Sequence, residues 1–209
     1  FDEQAIYIMT RCFAFGSFFQ YTKIRIISKT ELYSSNAGPL TYKDIWNIYD
    51  STLPPVQAYP DVIHPSFQYS PAGEHYFLHA YRGGGNIYSL YKLTNPITSP
   101  VLTRVNISVP FFGPTPNANQ LGGGTPIESN GSHIKTAPVF RDGFLYATHS
   151  IRNSIYPFYA SIKYVKIDVA ANTVVESAEL GADKYFYIYP TIAVDKDGNV
   201  GITCSRSAD

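Results

Sequence analysis

Charge is scarce in this chain, and so are helix signals, cysteine, methionine and tryptophan. Charged residues make up 15% of the 209, with 16 Lys+Arg against 16 Asp+Glu. An average globular chain carries about 25%. Zero net charge excludes the basic excess that a nucleic-acid or anionic-membrane binder needs. Two cysteines, Cys12 and Cys204, are too few for the disulfide framework of a small secreted domain. They leave open one bridge closing a long loop or two ordinary thiols. No apolar run reaches the roughly 18–20 residues of a membrane helix. No signal peptide is visible. The one methionine, Met9, is internal and the chain begins at Phe1, so the expectation is a piece of a longer protein.

What is abundant is aromatic: 18 Tyr and 13 Phe, with 15 Gly and 15 Pro. So much apolar surface excludes disorder. Only Leu40–Tyr49 (LTYKDIWNIY) has spacing that suits a helical turn. Elsewhere short β-branched and aromatic runs alternate with Gly, Pro, Asn and Asp clusters, which predicts an all-β sandwich, barrel or propeller. The expected strands are 5–11, 21–28, 75–81, 86–93, 104–109, 144–150, 161–169, 173–178, 191–194 and 199–204. In YTKIRIIS, Lys23 and Arg25 fall on one face and Ile24 and Ile26 on the other. Gly83-Gly84-Gly85, Arg141-Asp142-Gly143 and Asp195-Lys196-Asp197-Gly198 supply hairpin turns.

A repeat emerges on alignment. Pro138-Val139-Phe140 with Gly143-Phe144-Leu145 parallels Pro190-Thr191-Ile192 with Gly198-Asn199-Val200, and His64-Pro65-Ser66-Phe67 through Gly73 is a looser copy. The turn glycines Gly73, Gly143 and Gly198 lie 70 and 55 residues apart. A unit of four strands at such a period predicts a β-propeller of four-stranded antiparallel blades. The chain would hold an incomplete set of about 3–4 blades in one partial domain, with units of roughly 1–55, 56–110, 111–180 and 181–209. A single β-sandwich with long loops is the alternative.

The stretch Tyr189-Pro190-Thr191-Ile192-Ala193-Val194-Asp195-Lys196-Asp197-Gly198-Asn199, leading to Ser205-Arg206-Ser207, resembles the blade motif of sialidase-like (BNR/Asp-box-related) propellers. Phe1–Tyr33 and Ala137–Ser150 resemble exported bacterial propeller proteins of uncharacterised function. The strict Asp-box is not present, since no Trp follows Gly198 and no Ser stands two before Asp197. The resemblance implies a secreted or surface propeller that binds glycan or protein. The alternative is a fragment of a sialidase-like glycoside hydrolase whose catalytic residues are shared with missing blades. No nucleic-acid partner and no membrane span are expected.

Chemistry-bearing residues are few. Asp195, Asp197 and Asn199 follow the first half of an oxygen-ligand calcium loop but lack its later Glu, and the plainer reading is a hairpin turn. Ca²⁺ is the cation such a loop would take; no cofactor motif is present. Arg82 beside the glycine turn, Arg141 in a turn and His149 at a strand end are the candidate ligand contacts. His75 and His79 share a strand face, too far apart for an easy metal pair. Gly122-Gly123-Gly124 lacks the Lys-Ser/Thr of a phosphate loop. Asn106-Ile107-Ser108 and Asn130-Gly131-Ser132 fit the glycosylation sequon.

Overall fold

A computed structural model of the chain describes residues 1–16, 18–35 and 38–208. Ser17, Asn36 and Ala37 of the first expected unit, and Asp209 of the last, lie outside the described residues. The fold is all-β, and the described residues form four sheets, each drawn almost entirely from one continuous stretch of chain.

The first sheet joins β1 (Ala5–Phe13), β2 (Phe19–Ser28) and β3 (Lys43–Ile45) in that order. A single helical turn, α1 (Lys29–Leu32), follows β2, and α2 (Pro55–Ala58) precedes the second sheet. Next come β4 (His64–Pro65) and β5 (Phe67–Gln68), two halves of one segment separated by Ser66. β4 opens the second sheet, ordered β4-β6-β7-β8 with β6 (His75–Ala80), β7 (Gly85–Thr94) and β8 (Val101–Phe112). The third sheet runs through β9 (Val139–Arg141), β10 (Phe144–Arg152), β11 (Ala160–Asp168) and β12 (Thr173–Leu180). β5 joins this third sheet by pairing parallel with β9. The fourth is the hairpin β13 (Tyr185–Val194) and β14 (Val200–Ala208).

Local chemistry explains the turns. Asp142 and Gly143 have φ of 50° and 86°, the paired positive values of a type I′ hairpin, which Asp-Gly tolerates best. Gly84, at φ +83°, would bring a Cβ to 2.5 Å from the Phe112 carbonyl, so only glycine fits there. Asp168 Oδ1 accepts the amides of Ala170 and Ala171, both at 2.9 Å, and closes the β11–β12 turn. The register of β11 with β12 shifts between Lys166 and Ile167, where β12 carries the extra residue Val175.

The window Leu40–Tyr49 differs from expectation. It forms β3 instead of a helical turn. Arg25 grips Asp44 through two bonds of 2.8 Å, and its guanidinium lies 3.6 Å from the Tyr42 ring centroid. Cross-strand pairing to β2 therefore outweighs a weak local helix preference. Cys12 on β1 and Cys204 on β14 are both free thiols, which settles the bridge alternative. No helix among the described residues is long and apolar enough to cross a membrane.

The sheets stack face to face in chain order. Tyr7, Ile24 and Ile26 of the first sheet meet Phe77, Tyr91 and Leu93 of the second. On the opposite face of those same strands, Leu78, Tyr88 and Leu90 meet Phe140, Leu145 and Val165 of the third. Val139, Tyr146 and Tyr164 then turn to Ile192 and Val194 of the fourth. All six residues of β6 are buried, because this strand is covered on both faces. Burying a Leu or Phe side chain in this way contributes about 1.5–3 kcal/mol.

Stability should follow this layering. Leu90→Ala removes a fully buried side chain between the second and third sheets and should cost about 2–5 kcal/mol. Val175→Ala, on the half-exposed outer strand β12, should change stability by less than about 0.5 kcal/mol. Urea-unfolding midpoints of the two variants test this. Equal midpoints would contradict the packing of the second sheet on the third.

Candidate functional site

The residues expected at a site fall at two opposite ends of the sheets. Arg141 ends β9 at the hairpin end, where its guanidinium lies 5.2 Å from the Tyr69 ring centroid. The neighbouring Asp142 amide donates to Ser70 Oγ at 2.7 Å. Asp195, Asp197 and Asn199 are at this end too, and the Arg141 charge helps to hold the Asp195 carboxyl down. The larger causes of that shift are the Asn199 side chain and backbone. Asp195 Oδ1 accepts the amides of Asp197 and Asn199 at 2.9 and 2.8 Å, and its Oδ2 accepts Asn199 Nδ2 at 2.8 Å. Asp197 is held by Lys196 at 2.7 Å. These oxygens are engaged by hydrogen bonds within their own hairpin. Among the described residues no three His, Cys, Asp or Glu side chains gather as a metal-binding group.

Arg82 and His149 lie at the other end, tied to one loop. Ser132 is fully buried and serves as its hub. Its Oγ donates to the Gly113 carbonyl at 2.9 Å and accepts the Thr115 amide at 2.8 Å. Its amide donates to the Arg82 carbonyl at 2.8 Å. Its own carbonyl faces His149 Nδ1 at 2.6 Å, so that nitrogen carries the proton. Nε2 is then the acceptor, and the Tyr88 hydroxyl donates to it at 2.8 Å. His149 thus fastens the second sheet to the third. Burial pushes its pKa down to about 4, so it is neutral and structural at pH 7. Gly131, at φ +76°, would bring a Cβ to 2.7 Å from the Arg82 carbonyl, so the loop needs glycine at this position.

Beside this hub strands of two sheets, one turn and two entry segments bring polar groups together. β1 contributes Arg11, β6 contributes His79, and the β6–β7 turn contributes Arg82. The segment entering β4 supplies Asp61, and the segment entering β9 supplies His133 and Lys135. Arg11 Nη2 is 3.7 Å from Asp61 Oδ2. Both Asp61 oxygens are shielded from solvent and accept no hydrogen bond, and Arg11 Nε and His133 Nδ1 are likewise unpaired. Buried polar atoms usually find partners, so four unpaired ones in one place make this a candidate polar site.

Electrostatics carry the same mark. Burial, then the charges of Lys135, Arg82, Arg11 and His79, push His133 down to about 3. Burial and then Arg82 push Lys135 down to about 8, with Asp61 opposing. Lys135 Nζ donates to the Gly131 carbonyl at 2.5 Å and sits 5.8 Å from the Tyr189 ring centroid. Among the described residues neither Lys135 nor Arg82 has a carboxylate at ion-pairing distance. The site therefore holds more positive charge than its own carboxylate balances.

Of this set, Arg82 alone was among the candidate contacts expected from the sequence. Arg11, Asp61, His79, His133 and Lys135 carry no motif. The usable signal is position: Asp61 stands four before Pro65, and His133 and Lys135 stand five and three before Pro138. The sequon at Asn106 is structural in this fold, since its amide donates to Asp50 at 2.9 Å and accepts from Ser89 at 2.8 Å. In the second sequon, Ser132 is the buried hub already described.

Compared with models of protein families, with curated proteins and with solved structures, the chain matches none.

Buried histidines make stability depend on pH, and burial lowers His79 as well. Burial depresses His75 and His149 to about 4 and His133 to about 3, against an unfolded value near 6.5. The unfolded chain binds these protons first, so folding stability is fully present above pH 6.5. It should fall steadily as the pH drops from 6.5 to 4. Urea midpoints measured across that range check this, and a flat profile would contradict neutral buried histidines.

Proposed function

We propose that this chain is an arc of β-propeller blades, of sialidase-like architecture, that binds an acidic glycan at the Arg11–Asp61–Arg82–Lys135 site. The architectural part is supported by how the inner segments line up. The Phe1 ammonium donates to the Ser66 carbonyl at 3.0 Å, Phe67 N to the Pro138 carbonyl at 2.8 Å, and Thr136 Oγ1 to the Pro190 carbonyl at 3.2 Å. Successive sheets thus place their first segments side by side, as blades do around an axis. Placement at a secreted or surface location belongs to the same reading, with a protein ligand as the alternative to a glycan.

One observation carries the functional part: Arg82 and Lys135 converge without carboxylate partners beside an Asp61 whose acceptors are unfilled. Cations of this kind bind an acidic group through charge-assisted hydrogen bonds. The free Asp61 oxygens are acceptors for neighbouring hydroxyls. A sugar acid presents both groups on one ring.

Calorimetric titration with galacturonic acid, N-acetylneuraminic acid and glucose tests this. Binding of an acidic sugar but not of glucose is expected. Arg82→Gln and Lys135→Gln should each weaken it about tenfold or more, the loss of one charge-assisted bond of ~1.5–3 kcal/mol. Affinity should also fall as the pH rises from 7 to 9, because Lys135 loses its proton near 8. Equal binding of glucose, or affinity indifferent to both variants, would refute the site.

A further inference from the structure

We propose that the acidic ligand is an oligomer, and that a neighbouring cleft takes a second acidic sugar unit of the same chain. This rests on the acidic-glycan reading above and names the ligand's length. The cleft has a volume of about 440 Å³ and lies where the end of β8 faces the end of β10. That size falls within the range of small-ligand sites, roughly 300–1,000 Å³. Phe111, Gly113, Arg152, Ser154, Lys163 and Glu179 are among its walls.

Three features point to an anion-bearing ring. First, the cleft and the cationic site share one frame. Gly113 accepts from Ser132 Oγ at 2.9 Å and, through the same carbonyl, from the Arg152 amide at 3.2 Å. Ser132 in turn holds the Arg82 carbonyl at 2.8 Å. Arg82 and Arg152 are therefore fixed on two sides of one rigid loop. A Cβ on Gly113 would come within 3.0 Å of the Arg152 Cβ, so this close approach is built in. Second, among the described residues neither Arg152 nor Lys163 has an ion-pairing carboxylate within 4.0 Å. Glu179, the residue across the strand pair from Lys163, instead accepts the Ser154 amide at 2.9 Å. Third, Phe111 is 75% exposed, an aromatic face of the kind that packs on the C–H side of a sugar ring. Two cationic stations on one rigid frame match a chain that repeats its acidic group, and the second station adds avidity through effective concentration.

Calorimetric titration of the chain with mono-, di- and tetragalacturonate, and with a heparin-derived tetrasaccharide, tests the proposal. The tetrasaccharide of one source should bind at least tenfold more tightly than galacturonate; which one does so tells a carboxylate ligand from a sulfated one. The double variant Arg152→Gln/Lys163→Gln should abolish that gain and leave galacturonate binding unchanged, which also shows that the variant is folded. Galacturonate bound with no gain for either tetrasaccharide overturns the oligomer inference alone. So does a gain that survives in the double variant. Hexaglutamate bound as tightly as the tetrasaccharide assigns the cleft to acidic peptides and overturns it as well. No binding of any of these sugars refutes the acidic-glycan reading and this inference together.

Discussion

A β-sheet has two faces, and a short sheet that packs against only one neighbour leaves the other face wet. Everything else in this structure depends on how that constraint is met. The second and third sheets are each covered on both sides, and the strand carrying Tyr76, Phe77 and Leu78 alternates between two different apolar clusters. Low charge follows, since a strand buried on both faces leaves few positions for Lys or Glu. The tyrosine load follows too. Large flat rings fill the wide space between sheets, as Tyr76 does against Phe140 with centroids 4.8 Å apart.

Stacking also decides where polar groups go. Strands that are buried along their length have room for charged side chains mainly near their ends. The entering segments of neighbouring sheets converge at one end, so Asp61, His133 and Lys135 meet Arg11, His79 and Arg82 there. Ser132 then makes the meeting rigid, because each of its polar groups is engaged by a different element. The histidines divide accordingly. His75 donates to Gln68 at 2.6 Å and faces Asp2 at 3.1 Å. Burial raises the Asp2 carboxyl, but bonds from His75, Tyr7 and the Ala5 amide outweigh it and hold it below the usual carboxylate range. That corner, like His149, is a structural joint, while His133 stands unpaired beside the cations.

The strands and hairpins were legible because their causes are local. Alternation in β2 and Asp-Gly at the β9–β10 turn are properties of a few adjacent residues. β3 was not legible, because Asp44 is drawn into the sheet by Arg25, 19 positions earlier. The site was less legible still. Arg82 and Arg141 look equivalent in sequence, each beside a turn glycine, yet they lie at opposite ends of the sheets. Which end a turn occupies depends on strand direction within a sheet. Which turns become neighbours depends on stacking between sheets, and neither is encoded within a short window. At Asp195 the causes are local: three short-range hydrogen bonds hold its carboxylate within the hairpin turn that the sequence already suited.

Charge neutrality over the whole chain conceals a local imbalance. Asp44 is engaged by Arg25 and Lys23, and Asp50 by Arg104, Asn106 and Thr52. Asp2 is engaged by His75 and Tyr7. These carboxylates hold strands and loops in place and are absent from the convergent end. The cations there keep one another company, and the depressed Lys135 is the result: burial and a neighbouring guanidinium both act on it, and one distant carboxylate does not compensate. Such an arrangement is costly to the folded chain on its own, and an incoming anion, as proposed above, would relieve it. The neutral total and the locally cationic end are therefore linked, since acidic residues engaged in the scaffold are not available to balance the site.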